Sequence, residues 1–205
     1  MDLVLDNISK LYSDKWIFRG LNYKIDSGQK IAIRGHNGSG KTTLLSIISG
    51  LTLPSKGTIT YWNNDQIINK DSAPLKMSFA APYMSIFEEL TGPEYVKHIK
   101  KFRPLRENTT TRDVLEIANL WIDRNKSIGQ YSTGMVQRLR LIMAFMMKSE
   151  IIILDEPGSN LDSKSKSWFK ELIRELRDDR TLIIASNDAS DLNSCDSSID
   201  LSQYN

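Results

Sequence analysis

One stretch of this chain constrains it more than any other: Gly35-His36-Asn37-Gly38-Ser39-Gly40-Lys41-Thr42, followed by Thr43. It matches G-x-x-x-x-G-K-[ST], and its flanks suit it. Lys30-Ile31-Ala32-Ile33-Arg34 enters it as a short apolar strand. Thr42 to Ser49 leaves it with Leu44, Leu45, Ile47 and Ile48 at helical spacing, and Gly50 suits the cap. Glycines let a backbone wrap closely, so its N–H groups turn inward on an anion. The following helix adds its electropositive end. Residues 35–43 are therefore expected to cradle nucleotide phosphates, with Lys41 reaching the β- and γ-phosphates and Thr42 holding Mg²⁺ through its hydroxyl. His36 occupies a variable position inside the loop.

A second feature answers the first. Ile151-Ile152-Ile153-Leu154 is a buried-type strand ending in Asp155-Glu156-Pro157. Acids at the carboxyl end of a parallel strand sit where α/β folds bind ligands. Neighbouring residues on a strand face opposite ways, so Asp155 can serve the metal and Glu156 the attacking water.

The remaining pattern is mixed. Short apolar runs up to Tyr23 read as strands, as does Thr58 to Trp62 after the turn Pro54-Ser55-Lys56-Gly57. Residues 88–148 read as helical: one helix opening at Pro93, one over Asp113 to Trp121, one over Met135 to Met147. Met143, Met146 and Met147 read as core filler on the last. Ser163 to Arg177 is amphipathic, and Thr181 to Ala185 is a second all-apolar strand, giving a βαβ unit. The expected fold class is α/β: a phosphate-loop core with a mostly parallel sheet, an N-terminal antiparallel β subdomain and an inserted helical subdomain over about 88–148.

Tyr131-Ser132-Thr133-Gly134-Met135-Val136-Gln137-Arg138 precedes the acidic strand. Here the chain resembles the ABC ATPases, whose LSGGQ signature opens a basic, Gln-containing helix. It departs at Tyr131, Thr133 and Met135 but keeps Ser132 and Gly134. The resemblance implies that these two reach the γ-phosphate on an opposite subunit, so that ATP joins a homodimer or a heterodimer of related subunits. Ser159-Asn160-Leu161-Asp162 resembles the loop crossing that interface. Tyr12 stands where the family stacks an aromatic on adenine, with Trp16 as the rival and a plain surface strand residue as the bland alternative.

Two departures bear on turnover. Ala81-Pro82-Tyr83 lacks the Gln that the family places after the strand Met77-Ser78-Phe79-Ala80. Ser186-Asn187-Asp188 puts Asn187 where the family has a His. Asn can hydrogen-bond a γ-phosphate but carries no charge at any pH. Glu156, Lys41 and Asn187 are the expected catalytic set, and hydrolysis is expected to be slow.

Composition sets the remaining limits. Lys+Arg 27 against Asp+Glu 25 gives no basic stripe, so nucleic acid is not an expected partner. One cysteine and no CxxC argue for a free thiol. No apolar run approaches the ~20 residues that span a bilayer, and Asp2 and Asp6 oppose a signal peptide. The resemblance therefore implies an integral-membrane partner on a separate chain and a peripheral place on the cytoplasmic face. Tyr83 to Phe87 would offer that partner a socket, unless those side chains pack inside the helical lobe. In length the chain resembles compact export-type subunits, including those of cytochrome c maturation. DNA-repair or translation members of the family, or a regulatory module that closes on ATP without turnover, are the alternatives.

Overall fold

A computed structural model describes residues 1–204. The described chain divides into two units, the first made of residues 1–79, 149–156 and 179–204, the second of 80–148 and 157–178.

The first unit holds two sheets. β1 (Asp2–Tyr12) and β2 (Lys15–Ile25) form a hairpin, extended by β4 (Lys56–Asn63) and β5 (Gln66–Ile68) into an antiparallel sheet of order β2-β1-β4-β5. Both hairpin turns lack glycine, yet both pairs are left-handed: Ser13 (φ 44°) with Asp14 (67°), and Asn64 (46°) with Asp65 (63°). Paired left-handed residues make a turn whose twist matches the strands. That turn supplies β5, a strand with no separate apolar pattern in the sequence.

The second sheet contains β3 (Lys30–Arg34), β6 (Met77–Ala80), β7 (Ile151–Asp155), β8 (Thr181–Ala185) and β9 (Ser197–Asp200), ordered β6-β7-β8-β3-β9. β8 runs parallel to both β7 and β3, and β3 parallel to β9. Every residue of β7 and β8 is buried, which explains their unbroken apolar runs. α1 (Lys41–Ile48) buries Leu44, Leu45, Ile47 and Ile48 in the same core as Leu3, Leu5, Phe18, Ile31 and Ile183. The helix ends where Gly50 turns left-handed at φ 75°.

The second unit holds α2 (Gly92–Lys100), α3 (Thr111–Ile117), α4 (Thr133–Met146) and α5 (Ser163–Leu176). Capping boxes start α2 and α3: Thr91 with Glu94, and Thr110 with Asp113. The hydrogen bonds they receive hold the Glu94 and Asp113 carboxyls below the usual carboxylate range. α3 stops short of Trp121 because Asn119 turns left-handed (φ 55°), with Leu120 N–H on Leu115 O at 2.7 Å and Asn119 N–H on Glu116 O at 2.9 Å. Met143 and Met146 are buried among Leu139, Ile142 and Phe145, while Met147 is half-buried beyond the helix end. Arg138 ties three helices together, donating to Ala118 O (3.1 Å) and Ser165 Oγ (3.0 Å). Trp168 Nε1 donates to Ile117 O at 2.7 Å.

Ile183 is fully buried in β8, between Ile153 of β7 and Ile31 of β3. Ile183→Ala should cost about 2–5 kcal/mol of stability through lost contacts and a residual cavity. Chemical denaturation would measure this; a loss under about 1 kcal/mol would place the core elsewhere.

Candidate functional site

The parallel register brings the site together. Ile33 of β3 and Asp155 of β7 both pair with Ala185 of β8. The chain leaves these strands within two residues of that row. It enters the glycine loop from β3, Glu156 from β7, and Ser186-Asn187 from β8. A cavity of about 250 Å³ opens here, lined by loop residues Asn37, Gly38 and Gly40 to Thr43, and by Ile17, Glu156 and Asn187.

Lys41 is only 7% exposed. Its ammonium donates to Gly35 O (2.9 Å), His36 O (3.3 Å) and Asn187 Oδ1 (2.9 Å), so its three protons are all engaged. His36 thus contributes its carbonyl, and its ring is exposed. α1 begins without a side-chain cap or an acid in its first turn, which leaves its electropositive end to the cavity. Gly40 is left-handed (φ 98°), and a Cβ there would lie 2.5 Å from Ile17 Cγ2 and 2.9 Å from Phe18 Cδ1. The loop is seated directly on β2.

Thr42 Oγ1 donates to Asp155 Oδ2 at 2.6 Å, and Asp155 is 1% exposed. A hydroxyl and a carboxylate in contact form the hard-oxygen donor pair that Mg²⁺ takes, so these residues fit that ion. Ser39 Oγ is buried against Gly35 without a hydrogen-bond partner, a polar atom at the back of the loop.

Glu156 sits in the left-handed region at φ 45°, a strained setting for a long side chain. Asn187 holds its carboxylate: Nδ2 donates to Oε1 at 2.7 Å, and the backbone N–H lies 3.2 and 3.3 Å from Oε1 and Oε2. The same Nδ2 donates to Asn37 Oδ1 at 2.6 Å. One neutral amide therefore links the loop, the lysine and the carboxylate. Sequence reasoning named Asn187 but not this bridging role. It missed Ile17, whose only signal is its place beside the loop, and Ser186 with Asp191, which carry no signal in spacing.

Tyr12 does not line the cavity. It is 47% exposed at the end of β1, with Lys10 Nζ 4.7 Å over its ring. Trp16 is flanked by Arg19 and Lys56 at 5.8 and 5.4 Å. In the second unit, Ser132 caps α4, its Oγ accepting Met135 N–H at 3.2 Å, and a Cβ on Gly134 would lie 3.1 Å from Asn160 O. Gln137 is buried on the same helix and donates to Pro157 O at 3.1 Å. Beyond Pro82, Tyr83 and Phe87 are 60% and 50% exposed, and Arg140 donates to Met84 O at 2.7 Å.

A family model for the ABC transporter matches residues 18–159, spanning the loop, the signature and the acids. The chain belongs to the ABC transporter family. Among curated ABC relatives, the sulfate/thiosulfate import ATP-binding protein of Vibrio cholerae is 31% identical over 186 residues, covering 87% of this chain and 49% of that protein. The chain thus spans about half the length of the sulfate/thiosulfate relatives it matches. The ergothioneine transport ATP-binding protein of Helicobacter pylori is 28% identical, covering 91% of this chain and 90% of its own length. An ABC transporter ATP-binding protein from Pyrococcus furiosus superposes with a TM-score of 0.84 at 26% identity, over 100% of this chain and 99% of that one. An ATP-binding cassette solved as a dimer with ADP and Pi shares the fold, with a TM-score of 0.80 at 24% identity over 97% and 93% of the two chains.

Gly40→Ala should lower affinity for a fluorescent ATP analogue by at least about tenfold, because the loop must shift off Ile17 and Phe18. Undiminished binding would show that the loop tolerates a side chain at this position.

Proposed function

We propose that this chain binds Mg-ATP, hydrolyses it, and couples the closure of two ATP-binding subunits to a membrane-spanning partner on a separate chain. The observation that carries the reading is the bridge of Asn187 between Lys41 and Glu156 at the mouth of the glycine loop. It sets a cation for the phosphates within one side chain of a carboxylate for water.

Backbone amides of Asn37, Gly38 and Gly40 to Thr42, at the start of α1, would bind the β- and γ-phosphates. Lys41 would exchange Asn187 Oδ1 for a phosphate oxygen and neutralise charge there. Thr42 and Asp155 would hold Mg²⁺, which supplies charge compensation on the phosphates when bound. Glu156, with Oε1 anchored by Asn187, would orient the attacking water and accept its proton. Ser132 and Gly134 would complete the site from a second copy or a related subunit, with the cap of α4 facing the phosphate. Tyr12 would stack on the adenine of bound ATP, its exposed ring meeting the base outside the phosphate cavity.

The names of the relatives support a transport role, since the Vibrio and Helicobacter proteins are an import and a transport ATP-binding protein. No helix among the described residues is long and apolar enough to cross a membrane. A peripheral place on the cytoplasmic face, held by the membrane partner, follows from this reading. The exposed Tyr83 and Phe87 would meet that partner.

Glu156→Gln should cut steady-state ATPase by about 100-fold or more and trap an ATP-bound dimer, read by phosphate release and size-exclusion chromatography. Unchanged turnover would favour a module that closes on ATP without hydrolysing it. Asn187→His should raise turnover by about tenfold to a hundredfold through a charge-assisted contact to the γ-phosphate. The variant should also gain a rate inflection near pH ~6.5 that the Asn chain lacks. Equal or lower turnover in the His variant would argue against Asn187 as a weakened sensor.

A further inference from the structure

Glu156 is approached from its two sides by different groups. Both donors of Asn187 reach Oε1, with the side-chain amide closest at 2.7 Å. Oε2 faces the backbone N–H of Asn187 at 3.3 Å and one hydroxyl, Ser186 Oγ, at 3.2 Å. That hydroxyl is shared. Ser186 Oγ also lies 2.7 Å from Asp191 Oδ2, and it accepts Asp188 N–H at 3.0 Å. Ser186 and Asp191 are 3% and 5% exposed, so water cannot readily replace either partner.

A serine hydroxyl carries one proton and can donate to one carboxylate at a time. The shorter contact and the deeper carboxylate belong to Asp191, where a charge-assisted bond in a low dielectric is strong. We infer that Asp191 is a positioning residue for Glu156: by holding the Ser186 proton, it keeps Glu156 Oε2 free to accept a proton from the attacking water. Oε1 is the anchored oxygen and Oε2 the reactive one. Without the Asp191 carboxylate, the Ser186 proton turns to Oε2 and competes there with the proton that the base must take. The loop from β8 to α6 (Ala189–Leu192) thus acts on the base at two points. Asn187 fixes its orientation, and Asp191, through Ser186, keeps one oxygen available. This rests on the reading of Glu156 as the base.

The test is a set of ATPase assays on Asp191→Asn, Ser186→Ala, the double variant and Glu156→Gln, each checked for folding by thermal melting. Asp191→Asn should lower kcat by about tenfold, with KM for ATP changed by less than about twofold. Ser186→Ala sets the reference level, and the double variant should match its kcat within about twofold, since no hydroxyl is left to obstruct Oε2. A merely structural Asp191 would cost activity equally in both backgrounds, and that result overturns the inference. So does full activity in Asp191→Asn while Glu156→Gln is inactive. Retained turnover in Glu156→Gln instead removes the base reading itself. Should Asp191→Asn fail to fold, Asp191→Leu eliminates the buried charge altogether, and the same loss and the same recovery by Ser186→Ala are required of it.

Discussion

Register in the parallel sheet is the constraint from which the site follows. Ala185 faces Ile33 on one side and Asp155 on the other. The glycine loop, the carboxylate pair and the Ser186-Asn187 turn therefore leave the sheet at one level. A slip of one residue in β7 would move Asp155 off the row of Ala185, turn its side chain to the other face and take it from the hydroxyl of Thr42. Burial on both faces, with Ile151 to Leu154 and Leu182 to Ala185 all fully buried, makes any slip costly. The core thus fixes the chemistry: the residues that fill it also decide which side chains meet at its rim.

Much of this was legible beforehand because it rests on local pattern. A strand, a glycine loop and a helix in sequence specify residues 35–43 without tertiary information, and an apolar run ending in two acids specifies Asp155 and Glu156. The βαβ arrangement over 151–185 appears with β8 bounded as read from its apolar run. Other features depend on groups brought together from far along the chain. Asn187 and Lys41 are separated by 146 residues and Asn187 and Asn37 by 150, so nothing in spacing announces their contacts. Ile17 enters the cavity only because Gly40 lies against β2.

Elements whose geometry is set by unusual backbone were the hardest to foresee. The hairpin that adds β5 turns on Asn64 and Asp65, left-handed without a glycine. α3 ends at an asparagine that the apolar periodicity reads through. Glu156 adopts a conformation that glycine would favour, held there with its N–H on Ala185 O at 2.7 Å and its carboxylate on Asn187. At Asn119 and Glu156 hydrogen bonds compensate a local preference that sequence rules assign elsewhere.

The saturation of Lys41 has a thermodynamic consequence. Its ammonium already has three acceptors within the chain, so on the proposed reading a phosphate would exchange partners with it instead of filling an empty coordination shell. Two of those acceptors are carbonyls of the loop itself, so the loop is tied into shape by its own lysine before any ligand comes. On that reading, part of the entropy of ordering that segment would be met during folding rather than on binding.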